Sequence, residues 1–147
     1  MTFTLRESIV LDVPLDDVWH YVTTEDEWRQ PVVQEVRALT DGPVRAGSRY
    51  QNTVVAMGVR THPIYEMTVV DPPQHLAWKQ VEGGGPVRVV DGKYLLQALG
   101  ERRTTFTIET TYQPQGFGRI LGPVIKRVVR ENLRRVLGQL ETLVAPR

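Results

Sequence analysis

Ionisable side chains on predicted strands are the groups of this chain that could perform acid–base chemistry. Glu7 and Tyr94 are the two candidates for a catalytic acid or base. Glu7 falls on the more apolar face of its strand, where a carboxylate must be paired, hydrogen-bonded or hydrated. Glu7 is therefore either a carboxylate with a partner inside the protein or a carboxylate near the sheet edge that reaches solvent. Glu66, His75 and Asp91 are further ionisable groups, and no two of the five stand at an informative spacing. The sequence therefore favours binding and leaves catalysis open.

Other classes of site are excluded by what the sequence lacks. The chain has no cysteine, which excludes disulfides, zinc–thiolate sites and cysteine nucleophiles. Its two serines, Ser8 and Ser48, do not stand in a G-x-S-x-G motif, and no phosphate-binding glycine motif occurs. His62 and His75 fall on strands predicted to form one hairpin, where Glu66 could join them, but two exposed histidines are the simpler interpretation. We expect no metal and no cofactor.

Length and composition indicate one ordinary globular domain over residues 1–147. Apolar residues make up 41% and charged residues 24% of the 147 residues, as is typical of soluble proteins. The formal net charge of +1 gives no reason to expect nucleic-acid binding. The sequence shows neither a signal peptide nor an apolar run long enough to span a membrane. A cytoplasmic location without integral membrane contact follows by default.

The longest predicted element is a helix in the segment 117–144. Its apolar residues recur at spacings of three and four, which predicts an amphipathic helix with one buried face. Pro123 predicts that the helix bends or begins there, after a glycine-containing segment (116–122) expected to be loose and to gate an entrance. Asn132 falls inside the apolar arc, either as a satisfied core residue or as a polar group facing a cavity. The basic residues of the helix indicate a solvated face or contact with anionic headgroups.

The preceding residues alternate as strands. Strands are predicted over residues 2–13, 32–39, 48–59, 61–70, 76–81, 87–99 and 103–112, with short turns between most of them. Two short helices are predicted after the first strand, one after Pro14 and one from a Thr24–Glu27 capping box through Trp28. The predicted fold class is therefore α+β, with a seven-stranded curved antiparallel sheet around the C-terminal helix.

Loose motifs along the whole chain carry a family resemblance. They are V-P-L-D-D-V-W at 13–19, the segment 23–28, A-G-S-R-Y at 46–50, V-V-D-P-P-Q-H-L-A-W at 69–78, and the terminal helix. The sequence resembles the START-like (SRPBCC) superfamily of helix-grip proteins, and within it the bacterial polyketide cyclase/dehydrase-like and lipid-transport-like proteins. That resemblance implies a cavity between the concave sheet face and the long helix, entered near the first turns of that helix.

A small hydrophobic ligand, lipid-like or polyketide-like, is the partner that this resemblance implies. Together with strand alternation and helix periodicity it gives a set of candidate ligand-binding residues: Trp28, Met67, Val69, Trp78, Gln80, Tyr94, Leu96, Phe106, Ile108, Asn132 and Val136. One alternative is a cyclase or dehydratase in the same cavity, and another is a non-catalytic interaction module whose inner residues simply pack against the helix. A homodimer is compatible with the sequence, which does not fix the oligomeric state.

Overall fold

A curled antiparallel sheet carries the helices of this protein on one face. The computed structural model describes residues 2–23, 33–56, 58–83 and 85–143. Its strands are β1 (Phe3–Leu11), β2 (Val33–Ala38), β3 (Arg49–Ala56), β4 (Val59–Thr61), β5 (Ile64–Asp71), β6 (His75–Glu82), β7 (Val87–Gly100) and β8 (Arg103–Pro114). The helices in the described residues are α1 (Leu15–Thr23) and α2 (Gly122–Leu143), with a 3-10 turn (Gly116–Arg119) before α2.

Seven strands follow one another across the sheet in the order β1-β8-β7-β6-β5-β3-β2, and β4 pairs with β3 beside that path. All pairings are antiparallel, and β1 lies along β8 with Phe3 opposite Tyr112 and Leu11 opposite Thr104. The predicted fold class, a seven-stranded antiparallel sheet with a C-terminal helix, is confirmed. Of the two predicted short helices, the first is α1 and the second, Thr24 to Trp28, lies outside the described residues.

The strand predicted over residues 48–59 ends earlier, at Ala56, and the residues predicted as one strand over 61–70 are divided between β4 and β5. β3 ends at Ala56, Gly58 takes a positive φ of 75°, and β4 folds back along β3 with Val54 opposite Thr61. Pro63, which has no N–H to donate, separates β4 from β5. The prediction of one strand over residues 61–70 was wrong because Pro63 interrupts it, whereas the chain reversal at Gly58 lies one residue before the predicted end of the 48–59 strand.

A bulge in β5 changes which valine faces the inner side of the sheet. After Met67 the register shifts, so that Val69 lies opposite Ala77 and Val70 lies opposite the buried Leu76. The prediction that Val69 is on the inner face was wrong, because one extra residue in a strand inverts the alternation beyond it. Val70 takes the inner position and packs against the core.

Helix α1 begins directly after Pro14, which lacks the N–H that a first helical turn leaves unpaired. Asp16 and Asp17 stand in its first turn, where the positive end of the helix dipole favours carboxylates. Val18 and Val22, one turn apart, are its buried residues, and the helix lies against β7 and β8. Helix α1 therefore covers one end of the central strands β7 and β8.

Helix α2 begins at Gly122, so Pro123 stands in its first turn, as predicted. Its buried residues lie along one face, where each has a neighbour three or four positions away once the partly buried Val129 is included: Ile125, Val129, Leu133, Val136, Leu137 and Leu140. The helix lies closest to β1 and β8 at one side of the sheet. Neither helix in the described part of the chain combines the length and apolarity of a membrane span.

The outer face of the sheet, turned away from both helices, is polar. Hydroxyl pairs cross from β1 to β8, with 2.8 Å between the side-chain oxygens of Thr4 and Thr111 and between those of Ser8 and Thr107. Two carboxylates each lie between two cations: Glu66 with Arg49 and Lys79, and Glu109 with Arg6 and Lys93. Polar residues outside and apolar residues inside give the one-sided sheet that the alternation of β8 predicted.

Candidate ligand-binding site

Three aromatic rings from neighbouring strands form the centre of the inner sheet face. Trp78 of β6 and Tyr94 of β7 meet edge to face with 4.6 Å between ring centroids, and Tyr94 and Phe106 of β8 lie 5.0 Å apart. All three residues are buried. Such tilted contacts suit the quadrupoles of aromatic rings better than a face-to-face sandwich does. The rings form a continuous aromatic wall across β6, β7 and β8.

A glycine makes room for the largest of these rings. Gly92 lies opposite Trp78 in the β6–β7 register, and a Cβ atom at Gly92 would stand 2.6 Å from Cε2 and 2.7 Å from Nε1 of the indole. The indole therefore lies flat over the backbone of β7, in space that only a glycine leaves open. This arrangement fixes the orientation of Trp78 within the aromatic wall.

Two tyrosines stand beside the aromatic wall, at the end of the sheet nearer the 3-10 turn. Tyr65 of β5 lies opposite Gln80 of β6, and Tyr112 of β8 lies opposite Val89 of β7. Gln80 is buried, and its Oε1 accepts a 2.9 Å hydrogen bond from the Val89 N–H. Tyr112 also stacks on Phe3, with ring centroids 5.5 Å apart. The inner face thus has phenol hydroxyls at one end of an otherwise apolar surface.

Both phenols are held in their neutral form. Burial raises the pKa of Tyr65 well above its ordinary value of 10.0. Burial also raises the pKa of Tyr112, and the proximity of Tyr65 and Tyr94 raises it further, while a hydrogen bond with the Thr110 side chain lowers it. At physiological pH both phenols are hydrogen-bonding hydroxyls and not bases.

Alkaline titration should reveal the two phenols whose pKa values are raised. The folded protein keeps both protons while the unfolded chain loses them near pH 10, so the free energy of unfolding is unaffected below that pH. Above it, that free energy should fall by up to about 1.4 kcal/mol per pH unit for each phenol. Near-ultraviolet absorbance of the folded protein should show at least two of the five tyrosines remaining protonated when the others have titrated. Titration of all five together, with native circular dichroism retained, would contradict the raised pKa values of Tyr65 and Tyr112.

Part of the inner face extends beyond the helices. Tyr50, Asn52 and Val54 of β3 and Tyr65 and Met67 of β5 form what we call the trough, and all five remain partly accessible. β5 is three strands from β8, about 14 Å across the sheet, whereas a helix with its side chains is about 10–12 Å wide. A helix seated on β1 and β8 therefore does not cover the trough.

Glu7, a candidate catalytic residue, lies on the inner side of the edge strand β1. Its Oε1 is 3.9 Å from Nε of Arg134 on α2, and its side chain is 30% exposed. An ion pair this exposed contributes little to stability. Asn132 lies about 200° round the helix from Arg134, on the opposite flank of α2, and is half-buried with its Oδ1 enclosed. Glu7, which lies beside Arg134, and Asn132 are therefore on different sides of α2.

The segment before α2 is packed more tightly than its glycines predicted. The Gln115 N–H donates to the Pro86 carbonyl at 3.0 Å, and a Cβ atom at the buried Gly118 would overlap that same carbonyl. The expectation of a loose segment is therefore wrong at Gly118, where glycine permits close backbone packing. This contact joins the β6–β7 loop to the start of α2 at one end of the inner face.

The two histidines considered for a metal site are far apart. Ile64 lies opposite Glu82 and Asp71 opposite His75, so His62 and His75 stand at opposite ends of the β5–β6 hairpin. The expectation that they could approach each other is wrong, because the hairpin turn adjoins only His75. Among the residues that the structure describes, no group of three or more acidic or histidine side chains is arranged to hold a metal ion.

Comparison with known proteins accounts for this architecture. The model of the family described as "Polyketide cyclase / dehydrase and lipid transport" matches residues 2–145. The chain belongs to this family. No curated protein matches the sequence.

Solved structures of other family-like proteins show the same fold. A protein named TTHA0849 from Thermus thermophilus superposes with a TM-score of 0.81 at 20% identity, covering 97% of each chain. The Zhui aromatase/cyclase from Streptomyces sp. R1128 has a TM-score of 0.78 at 18% identity, covering 96% of this chain and 94% of its own. A START superfamily protein from Mycobacterium smegmatis has a TM-score of 0.77 at 14% identity, and the match covers 96% of each chain. These identities show the fold alone, and the predicted START-like membership is confirmed.

Most of the candidate ligand-binding residues lie on the inner sheet face or on the inner side of α2. Residues buried on the inner sheet face or the inner side of α2 are Trp78, Gln80, Tyr94, Leu96, Phe106, Ile108 and Val136. Met67 lies in the trough, whereas Val69 is outside it and Trp28 lies outside the described residues. Whether any of them contacts a ligand stays a prediction.

Sequence reasoning missed Tyr65, Tyr112 and Gly92 as parts of the site. Alternation of β8 placed Tyr112 on the inner face, so its type and position were an available signal. Tyr65 lies two residues after Pro63, and alternation could not assign it to the inner or outer face because the first residue of β5 was not known. The role of Gly92 depends on a cross-strand partner that no local pattern identifies.

Proposed function

We propose that this protein binds a small hydrophobic molecule between the inner sheet face and α2, with the trough as part of the binding surface. Family membership supports a ligand-binding or cyclase-type role without naming a ligand or a reaction. The ligand would be lipid-like or polyketide-like, held against the aromatic wall by burial of apolar surface.

One observation carries the proposal most strongly. The trough residues Tyr65 and Met67 pack against the core and yet remain partly accessible, although they belong to the concave face. Accessible aromatic and thioether side chains on a concave apolar surface are typical of ligand sites. Phe106 and Ile108, which pack under the helices, are both 0% exposed. If the inner face served only to pack against the helices, the trough residues would be buried as completely as these two.

A cyclase or dehydratase is the second candidate, and the geometry favours it less. Glu7 is at the sheet edge beside Arg134, and Tyr94 lies between Trp78 and Phe106. The raised pKa values of Tyr65 and Tyr112 make them poor bases near neutral pH. They remain suitable hydrogen-bond donors to a carbonyl oxygen, which an aldol-type cyclisation also requires.

Binding of a fluorescent hydrocarbon tests the proposal. Diphenylhexatriene fluoresces strongly only out of water, and the protein should enhance its fluorescence saturably at about one site per chain. Met67→Arg places a charge in the trough and should weaken binding by at least about tenfold, because an unpaired charge resists burial beside an apolar ligand.

The adjacent Thr68 provides a matched control. It is exposed, so Thr68→Arg should leave dye affinity unchanged within about twofold. Circular dichroism would establish that both variants are folded. Absence of saturable enhancement by the wild-type protein, or equal binding by the folded Met67→Arg and Thr68→Arg variants, would refute a binding site in the trough.

A further inference from the structure

Two large aliphatic side chains at the start of α2 are exposed to solvent. Ile120, in the turn before the helix, is 83% exposed, and Val124, in the first turn of the helix, is 50% exposed. Among the large hydrophobic residues exposed in the described part of the chain, Ile120 is the most exposed, and Val124 stands only four residues from it. Scattered exposed apolar residues need no explanation, whereas a group of them marks a candidate contact surface.

The same segment holds an excess of positive charge. Residues 110–130 contain four of the eighteen basic residues of the chain and none of its seventeen acidic ones, which leaves fourteen basic and seventeen acidic residues elsewhere. The four basic residues are Arg119, Lys126, Arg127 and Arg130. The positive charge of the protein is therefore concentrated around the start of α2, although the chain as a whole is nearly neutral.

Most of these cations are not neutralised by carboxylates of the protein. Arg119, Lys126 and Arg130 have no ion pair with any residue that the structure describes. Arg127 lies 3.8 Å from Glu131, one turn further along α2, and their side chains are 84% and 56% exposed. An ion pair this exposed is weak, so Arg127 can exchange its partner for an external anion.

The exposed aliphatic and cationic side chains form one surface, which we call the α2 tip: Arg119, Ile120, Val124 and Arg127. Arg119 directly precedes Ile120, and Arg127 lies three residues after Val124, on the same side of the helix. All four residues are exposed. The tip therefore presents apolar groups and positive charges side by side.

An anionic phospholipid bilayer offers a partner for both kinds of group. Its head groups attract arginine and lysine, and the acyl chains directly below them take up apolar side chains. The phosphates of a nucleic acid would also attract the cations, but they would leave Ile120 and Val124 without an apolar partner. The composition of the α2 tip thus matches a bilayer surface better than a nucleic acid.

The position of the α2 tip relates it to the trough. In the β6–β7 loop, Pro86 packs against Gly118 before α2, and a Cβ atom at Gly83 would lie 2.5 Å from Cα of Pro63. The Pro63 carbonyl accepts a 3.0 Å hydrogen bond from the N–H of Asn52, a trough residue. A membrane in contact with the α2 tip would therefore adjoin the end of the molecule at which one end of the trough lies.

We propose that the α2 tip docks this protein on the surface of anionic phospholipid membranes. Ile120 and Val124 enter the boundary between head groups and acyl chains, while Arg119 and Arg127 contact the head groups. The contact is peripheral and reversible, because two aliphatic side chains and a few cations bury little surface. This inference goes beyond the proposed function, and docking does not require that the trough hold a ligand.

Co-sedimentation with sucrose-loaded vesicles tests the proposal. The wild-type protein should bind vesicles of phosphatidylcholine containing about 30% phosphatidylserine at least about tenfold more strongly than vesicles of phosphatidylcholine alone, because several cations act together. About 0.5 M sodium chloride should remove most of this preference, since salt screens the attraction between exposed charges. Equal binding to the two kinds of vesicle, or no binding to either, would overturn the proposal.

Ile120→Ser tests the apolar part of the surface. It should weaken binding to the anionic vesicles about three- to tenfold, because the insertion of an aliphatic side chain is lost. Leu99→Ser is the matched control, which should bind within about twofold of wild type. Leu99 is 51% exposed, but it lies beside the turn of the β7–β8 hairpin, about 35 Å along β8 from the residues before α2.

Arg119→Gln tests the cationic part. It should weaken binding to the anionic vesicles about fivefold. Arg102→Gln removes an exposed cation in the β7–β8 turn and should change that binding less than about twofold. Circular dichroism would establish that all four variants are folded. Equal loss in the tip variants and their controls would show that the tip is not the contact surface and would overturn the proposal.

Two further measurements separate the alternatives. Salt-sensitive binding to a random single-stranded oligonucleotide, without binding to anionic vesicles, would assign the cations to nucleic acid and overturn the proposal. Diphenylhexatriene binding, measured without vesicles, reports on the trough alone. Dye binding without vesicle binding would overturn this inference and leave the proposed function intact, whereas vesicle binding without dye binding would do the reverse.

Discussion

Phe106→Ala should lower the free energy of unfolding by about 3–5 kcal/mol. Phe106 is 0% exposed, contacts Tyr94 and lies under the helices on β8, so its loss removes buried apolar surface and leaves a cavity that rigid strands cannot close. Domains of this size are typically stable by about 5–15 kcal/mol. The variant should therefore be near the limit of folding, as urea denaturation followed by circular dichroism would show.

Leu99, on the same hairpin, is the control for this experiment. It is 51% exposed, so Leu99→Ala should change the free energy of unfolding by no more than about 0.5 kcal/mol. A loss below about 1.5 kcal/mol for Phe106→Ala would contradict its position at the centre of the core. Such a result would mean that the surrounding side chains collapse into the vacated space.

Gly92→Val should be nearly as damaging, by the opposite mechanism. Even the first added carbon would overlap the Trp78 indole, which is buried and pressed against Tyr94. Overpacking of this kind costs about 1–3 kcal/mol, and the larger valine should reach or exceed the upper end. Displacement of the indole should also change the near-ultraviolet circular dichroism and weaken binding of diphenylhexatriene.

Gly138 is the matched glycine for comparison. It lies on α2 with open space where a Cβ would stand, so Gly138→Ala should stabilise the protein by about 0.5–1 kcal/mol. Comparable stability of Gly92→Val and wild type would show that Trp78 is free to move aside. The aromatic wall would then not be the preorganised surface that its geometry indicates.

Elements with a strong local period were predictable from the sequence. The buried residues of α2 follow the helical repeat, and every second residue of β8 from Thr104 to Tyr112 is buried because one face of that strand is fully covered. Pro123 predicted that the helix begins or bends there, and the structure shows that it begins there, since a proline fits the first turn of a helix without the loss of a hydrogen bond. In each case the determining interaction lies within a few residues along the chain.

Features that depend on distant partners were not predictable in the same way. The bulge that moves Val70 inward is defined by pairing with β6, and alternation alone selected Val69. The contact of Gly92 with Trp78 and that of Glu7 with Arg134 each join different elements. The inner-face position of Tyr65 became evident only when its pairing with Gln80 was known. Periodicity predicts which face of a strand or helix a residue occupies, whereas the site depends on the register in which neighbouring strands pair.

The pairing of β1 with β8 has a consequence for how the polypeptide acquires its structure. Phe3 of β1 can pair with Tyr112 of β8 only after Tyr112 has been synthesised, and α2 is synthesised after β8. Until then a nascent chain emerging from the ribosome would display the apolar side of its central hairpins to its surroundings. Such long-range closure makes folding slow and exposes intermediates to aggregation. We expect the packing of α2 onto the sheet to decide whether each newly made molecule folds or aggregates.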